Sequence, residues 1–300
     1  MTYISLFFQL LRDVCINEPS ERGRSENNVL KNRYRNILPF DRSSVRLSVS
    51  NEEGSDYINA NYIDGYKHPK EYIVTQGPLP GTKNEFWRMV WEEEVPTIVM
   101  ITQCVEKGRV KCDHYWPFDA EPMDYGDITV TMVEETQMTD WTVREFNIEH
   151  SQMSEVRQVK QFQFTSWSDH GVPETPEPML RFISTVRGQH PISEGPMIVH
   201  CSAGVGRSGT FIASDILMQH VTDQRNDVID IFGVVYRMRT QRCYMVQTES
   251  QYVYIHRAIL EVLKGNVSNS NWVLMHPGTS RPDSIYRPEP EMADPYGDEI

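Results

Sequence analysis

The residues of this chain best equipped for chemistry lie together in Cys201-Ser-Ala-Gly-Val-Gly-Arg207, preceded by His200 and followed by Ser208 and Gly209. Met197-Ile-Val199 is a short apolar run that reads as a buried strand, and Gly209 to His220 reads as the start of a helix. A strand that turns into a helix over Ser202, Ala203, Gly204, Val205 and Gly206 leaves several backbone N–H groups aimed at one spot. With the helix dipole behind them, they make an anion site. Arg207 adds a planar fork that takes two oxygens of a phosphate at once. The same positive surroundings lower the pKa of Cys201, so a thiolate persists near neutral pH. An anion cradle with a thiolate at its floor is equipped to attack phosphorus.

Two plainer readings compete for these residues. Gly204-Val-Gly-Arg-Ser-Gly209 spells G-x-G-x-x-G, with Asp223 and Asp227 at about the distance a dinucleotide fold requires. In that fold the glycines follow the strand directly, whereas here Cys-Ser-Ala intervenes and an arginine sits inside the turn. The other reading is a buried structural cysteine, a common fate for the residue. It leaves Arg207 at this spacing unexplained.

His-Cys-x5-Arg-Ser/Thr-Gly, met throughout by His200 to Gly209, resembles the active-site pattern of the cysteine-based protein tyrosine phosphatases. That pattern extends to dual-specificity and lipid members, and other segments narrow it. Lys31-Asn-Arg-Tyr34 resembles the pocket rim of tyrosine-specific members, in which the tyrosine stacks on the substrate ring and makes the cleft too deep for phosphoserine. Asn36 stands where the family often has an aspartate that contacts the substrate backbone. Glu106-Lys-Gly-Arg-Val-Lys-Cys112 resembles the loop whose glutamate braces the catalytic arginine, which implies Glu106 for Arg207 and Lys111 for the acid loop. Trp167-Ser-Asp-His-Gly-Val-Pro173 resembles the family's mobile W-P-D loop with Ser168 in place of proline, and its D-H-G-V-P wording is that of receptor-type members. Gln241 to Tyr252 resembles R-x-x-M-V-Q-T-x-x-Q-Y, which implies that Gln247 positions the hydrolytic water with Gln251 beside it. Bulky Tyr244 narrows a side entrance to the pocket.

The chemistry implied has two steps. Cys201 attacks phosphorus while Arg207 and the loop amides hold the equatorial oxygens. Phenolate is a poor leaving group, so Asp169 protonates it; Asp169 then takes a proton from the water that hydrolyses the phosphocysteine. Ser208 donates a hydrogen bond to the thiolate, and His200 helps set its pKa. Because the nucleophile belongs to the protein, no metal or cofactor is expected. The rival reading is a phosphotyrosine-binding pseudophosphatase with an impaired acid loop. Loss of the proline frees φ at Ser168 and is the departure that motivates it.

The elements that must position these groups are also legible. The implied fold is α/β (α+β), a twisted mixed sheet flanked by helices with the phosphate loop at a strand-to-helix turn. Apolar spacing predicts helices over 4–15, 84–93, 177–190, 227–239 and 252–263. Asp56 to Ile63, Tyr72 to Pro78, Thr97 to Thr102, Asp127 to Val133, Thr142 to Ile148 and Gln161 to Trp167 read as strand segments, with Thr97 to Thr102 continuous enough to be central. Residues 1–265 read as one catalytic domain and 266–300 as a flexible Pro-rich acidic tail. Tyr286 and Tyr296 in that tail are candidate phosphorylation and docking sites for SH2-type partners.

Composition bounds the rest. The chain has 300 residues, of which 39% are hydrophobic, enough for a sizeable core. A formal charge of −13 argues against nonspecific nucleic-acid binding. Five cysteines without C-x-x-C pairing fit a reduced compartment. No run approaches the roughly 18 apolar residues of a membrane span, and Ile4 to Leu11 reads as an amphipathic helix rather than a signal peptide. The expected setting is cytoplasmic, as the inner part of a membrane-anchored receptor or alone, with phosphotyrosine-containing proteins as partners.

Overall fold

Strands buried on both faces need apolar residues at consecutive positions, and four segments supply them: Tyr72–Thr75, Thr97–Met100, the end of Val156–Phe164, and Met197–His200. The structure is a computed structural model that describes residues 3–48, 55–167, 171–190, 195–223 and 228–265. Its strands are β1 (Ser44–Arg46), β2 (Tyr57–Ile63), β3 (Tyr72–Thr75), β4 (Thr97–Met100), β5 (Val105–Glu106), β6 (Arg109–Val110), β7 (Met123–Tyr125), β8 (Ile128–Gln137), β9 (Trp141–His150), β10 (Val156–Phe164) and β11 (Met197–His200). The helices are α1 (Tyr3–Leu11), α2 (Glu21–Arg24), α3 (Lys83–Glu92), α4 (Glu177–Gln189), α5 (Gly206–Thr222), α6 (Ile231–Gln241) and α7 (Glu249–Leu263).

Nine strands form one mixed sheet in the order β1-β2-β3-β11-β4-β10-β9-β8-β7, and β5 and β6 form a separate hairpin. The four central strands, β3, β11, β4 and β10, run parallel, and antiparallel pairs flank them. Side chains alternate between two cores. Tyr72, Val74, Met197 and Val199 face α4, α5, α6 and α7, whereas Ile73 and Ile198 face α3. Each such fully buried aliphatic contributes about 1.5–3 kcal/mol.

A buried ion cluster ties the helical layer to the sheet. Arg187 of α4 pairs with Glu71 at 2.7 Å and with Asp215 of α5, and the Tyr72 hydroxyl donates to Asp215 at 2.7 Å. Arg187 is thereby shared between two carboxylates, and the helix that carries the phosphate loop is held against β3.

Several boundaries differ from the sequence expectation. The first helix ends at Leu11 rather than residue 15. The sixth begins at Ile231 rather than 227, because the Asp230 side chain accepts from Gly233 N–H at 2.7 Å and caps it. The helix after the phosphate loop begins at Gly206, inside the glycine run, three residues before the apolar pattern starts. The tail over 266–300, with Tyr286 and Tyr296, lies outside the described residues.

His190, buried at the end of α4, bonds through Nδ1 to Thr97 Oγ1 at 3.0 Å. Burial, helped by the nearby Arg187 charge, pushes its pKa down to about 3. A histidine depressed in the folded state supports folding fully above its unfolded value of about 6.5 and loses that support as pH falls toward the folded value. Urea unfolding at pH 7 and pH 4.5 should therefore show an acid loss of stability that is about 2 kcal/mol smaller in His190→Gln than in the parent. Equal losses would refute the assignment.

Candidate active site

In open α/β sheets, ligands bind beyond the carboxyl ends of the parallel strands, and here four adjacent strands all deliver their next residues to one place. β3 leads to Gln76-Gly-Pro78, β11 to the phosphate loop, β4 to Thr102-Gln103 and the β5–β6 hairpin, and β10 to Trp167.

The loop from Cys201 to Arg207 is held by its carbonyls. Ser202 O accepts from Gly77 N at 2.9 Å. Gly204 O and Ala203 O accept from Arg242 at 2.8 and 3.1 Å, and Val205 O accepts from Val246 N at 3.0 Å. Two glycines make this approach feasible. Gly204 has φ +69°, and a Cβ there would strike Thr75 O; a Cβ on Gly209 would strike Val246 N.

Cys201 is 5% exposed. Burial by itself would raise its pKa, but hydrogen bonds from the Ser208 hydroxyl and amide, the Arg207 charge and the Val205 amide outweigh burial, and the net shift is downward. Among the described residues, Ser208 Oγ has no oxygen or nitrogen partner, which leaves its hydroxyl to the sulfur. His200 is fully buried, and burial pushes its pKa down to about 4, so the ring is neutral near pH 7. Its Nδ1 lies 3.3 Å from Cys201 O and its Nε2 lies 2.8 Å from the Tyr115 hydroxyl, which also accepts from Gln161 Nε2 at 2.7 Å. Gln161 Oε1 in turn accepts from Arg144 at 2.9 Å. One tautomer satisfies the chain: Gln161 donates to Tyr115, Tyr115 to Nε2, and Nδ1–H to the Cys201 carbonyl. His200 thus touches the backbone of Cys201 and fixes its direction.

Arg207 makes a bidentate pair with Glu106, Nη1 at 2.6 Å and Nη2 at 3.0 Å. Glu106 Oε1 also accepts from Thr102 Oγ1 at 3.0 Å and Gln103 N at 3.1 Å. The hairpin that carries Glu106 turns through Lys107 (φ +48°) and Gly108 (φ +75°), two successive left-handed residues as its tight reversal requires. Lys111, at the end of that hairpin, donates its amide to Cys104 O at 2.8 Å.

Tyr34 is 38% exposed, and its hydroxyl lies 2.8 Å from Ser202 Oγ, which sets the rim against the loop. The preceding Arg33 holds that rim: Nε donates to Gly77 O at 3.0 Å, and Nη2 to Pro78 O at 2.7 Å and Asp113 at 2.9 Å. Asn36 and Tyr244 line a neighbouring cavity of about 270 Å³ together with Arg12, Arg24, Arg35 and Cys243. Gln247 N donates to Gln251 Oε1 at 2.9 Å, and both glutamine amides lie against Gly206, where an added Cβ would come within 2.9 Å of Gln251 and 3.3 Å of Gln247.

Trp167 is buried, donates from Nε1 to Gly171 O at 3.2 Å, and lies 5.7 Å from the Arg207 guanidinium carbon. Its indole therefore ties Trp167 to Gly171. Ser168 and Asp169 lie outside the described residues.

The structure also brings to the site residues to which the sequence assigns no individual role. Asn59 and Asn61 bond Arg242, Gln76 bonds the amide of Arg33 at 2.8 Å, and Tyr115 and Gln161 bond toward His200. Two asparagines two apart in an otherwise apolar strand were a signal that something polar lay opposite.

Glu106→Ala separates charge from positioning. By charge alone, removal of a carboxylate next to Arg207 should tighten phosphate binding. Because the bidentate brace pre-orders the guanidinium, which the variant must order on binding, affinity for inorganic phosphate should instead fall at least roughly tenfold. Calorimetry on folded variant decides between the two signs.

The profile of the protein-tyrosine phosphatase family matches residues 28–261. Receptor-type tyrosine-protein phosphatase eta of Homo sapiens is 47% identical over 259 residues, 86% of this chain and 19% of that protein. Receptor-type tyrosine-protein phosphatase F of Rattus norvegicus is 52% identical over 242 residues, 80% of this chain and 13% of that protein. The chain thus spans about a fifth or less of the length of these curated relatives. Since the matched span contains the loop, the hairpin, the rim and the glutamine segment alike, this chain belongs to the protein-tyrosine phosphatase family.

Proposed function

We propose that residues 1–265 hydrolyse phosphotyrosine in proteins through a phosphocysteine intermediate. The observation that carries this reading is the Cys201 sulfur, its pKa lowered, at the floor of a loop beside an arginine already braced in a bidentate pair. The Cys201 thiolate attacks phosphorus, an S–P bond forms, and the P–O bond to tyrosine breaks. Asp169 gives its proton to the departing phenolic oxygen. Water, oriented by Gln247 with Gln251 beside it, then attacks phosphorus. Asp169 takes the proton of that water, and phosphate leaves the sulfur, which receives a hydrogen bond from Ser208.

Tyr34 sets the depth of the cleft. Its hydroxyl contact with Ser202 and the Arg33 clamp support that role. A phosphoserine is too short to bring its phosphorus to Cys201 past such a rim. Lys111 and Trp167 hold the acid segment, and Asn36 meets the substrate backbone less strongly than an aspartate would. The relatives are receptor-type proteins, and we infer the same setting here: a cytoplasmic catalytic unit of a longer chain, with Tyr286 and Tyr296 in residues 266–300 as docking sites for SH2-type partners. Among the described residues, no helix is long and apolar enough to cross a membrane.

Steady-state hydrolysis of a phosphotyrosine peptide and a matched phosphoserine peptide tests the reading. Only the first should turn over; Cys201→Ser should abolish turnover, and Asp169→Ala should lower kcat by about 10²–10⁴-fold. Tight binding of the phosphotyrosine peptide without turnover by the unmodified protein would make it a reader instead.

A further inference from the structure

Behind the phosphate loop lies a guanidinium without an anionic partner. Arg242, just beyond α6, is 0% exposed. Its four hydrogen bonds go to Gly204 O (2.8 Å), Ala203 O (3.1 Å), Asn61 Oδ1 (2.7 Å) and Asn59 Oδ1 (2.9 Å), all neutral oxygens. Among the described residues, no carboxylate pairs with it. Buried Arg187 and Arg144 differ, since each is paired with a carboxylate. Buried Arg239 also donates only to carbonyls, but they belong to Leu11, Met245 and Val246, none of them in the loop. Burial of an unpaired cation is costly, and a neutral side chain of similar length would fill the same space.

The connection to the sulfur runs through a single peptide unit. Gly204 C=O and Val205 N–H belong to the same trans peptide, so they point in opposite directions. The carbonyl accepts from Arg242, and the amide is one of the donors that face Cys201. The cation therefore polarises the peptide whose N–H meets the sulfur, and the Ala203 carbonyl is turned away from the anion by the same fork.

We propose that Arg242 is a positioning residue of the phosphate site, whose uncompensated charge, acting through the Gly204–Val205 peptide, stabilises both the Cys201 thiolate and a bound phosphate. This rests on the reading of Cys201 as a nucleophilic thiolate. Among the described residues, the other groups that face Cys201 are Arg207 with its Glu106, neutral His200, Ser208, and the thiol of Cys112, which burial raises. Arg33 is paired with Asp113, and Tyr34 reaches the loop through Ser202. Beside Arg242 itself stand Cys243 and Tyr57, both shifted upward by burial and therefore neutral near pH 7.

Asn61→Asp provides the test, because it sets a carboxylate against Nη1 and cancels the charge while the guanidinium and its bonds to the loop stay. Arg242→Lys keeps the charge and loses the fork; Arg242→Met loses both. The readouts are the pH midpoint of Cys201 alkylation by iodoacetamide, with the Cys201→Ser background subtracted, and the inorganic phosphate concentration that half-protects. In Asn61→Asp the midpoint should rise by about half to one pH unit, a three- to tenfold smaller thiolate fraction at fixed acidic pH, and half-protection should need several-fold more phosphate. Arg242→Lys should stay within about 0.3 unit of the parent, and Arg242→Met should move with Asn61→Asp. An unchanged midpoint in folded Asn61→Asp overturns the proposal. If that variant does not fold, equal midpoints in Arg242→Lys and Arg242→Met overturn it. Neither readout needs turnover, so a protein with the expected profile that hydrolyses no phosphotyrosine peptide would overturn the catalytic reading alone.

Discussion

The outward pull on the carbonyls of the phosphate loop is the constraint on which the rest of this structure depends. Ser202, Ala203, Gly204 and Val205 each have a carbonyl engaged from outside, by Gly77, Arg242 or Val246. A planar peptide cannot turn its oxygen outward without turning the adjacent N–H inward. Anchored carbonyls are thus the cause, and a nest of inward amides the result. The anchors come from elements far apart in the chain: the end of β3, the segment after α6, and the residues before α7. The anion site is therefore a property of the whole fold, although its sequence motif occupies ten residues.

Part of that anchoring stores backbone strain. Tyr244 and Val246 lie at φ +56° and +59°, and for a β-branched residue the left-handed region is a genuine outlier. Such a residue costs about 1–3 kcal/mol. The segment stays there because Arg239 holds both the Met245 and Val246 carbonyls while Val246 N–H serves the loop. These two charge-assisted hydrogen bonds, about 1.5–3 kcal/mol each, are of the same size as the strain and offset it. The outcome is functional geometry: the kinked segment brings Gln247 against Gly206. Gln251 completes the capping box of α7 with Thr248 and leaves its amide beside the same glycine. The start of a helix and the edge of the site are thus secured by one side chain.

What was legible in the sequence follows from how local each feature is. Strand, loop and helix around Cys201, the Glu106 hairpin and the Tyr34 rim are each written within a dozen residues, and the structure places Glu106, Tyr34, Trp167 and Gln247 against that loop. The position of Asp169 is not part of the described structure. Within its motif Arg242 carries no evident role, and Asn59 and Asn61 read as strand residues, because their meaning exists only once β2 and the segment after α6 meet across 181 and 183 positions of sequence. The apolar pattern starts α5 late for a related reason. Gly206 reads as a loop residue, yet it opens the helix at a point where two glutamine side chains approach its backbone too closely for a Cβ.

The chain carries a formal charge of −13, and its candidate substrate is an anion. The contradiction dissolves once distance and dielectric are considered. Exposed carboxylates act through water, and beyond a Debye length of about 8 Å salt screens them. A guanidinium sealed behind the loop acts through protein, where the same charge counts roughly fourfold more at equal distance, taking an effective dielectric of about 20 against 80. Burial also removes the anions that would otherwise neutralise it. Two buried arginines are thereby used in opposite ways: Arg187 is spent on two carboxylates and holds α4 and α5 to the sheet, whereas Arg242 has only neutral partners among the described residues and donates to the loop. Net charge therefore says little about the choice of substrate under the proposed function. The sign of the field at the loop is set locally, by which of its cations the fold has left without a carboxylate.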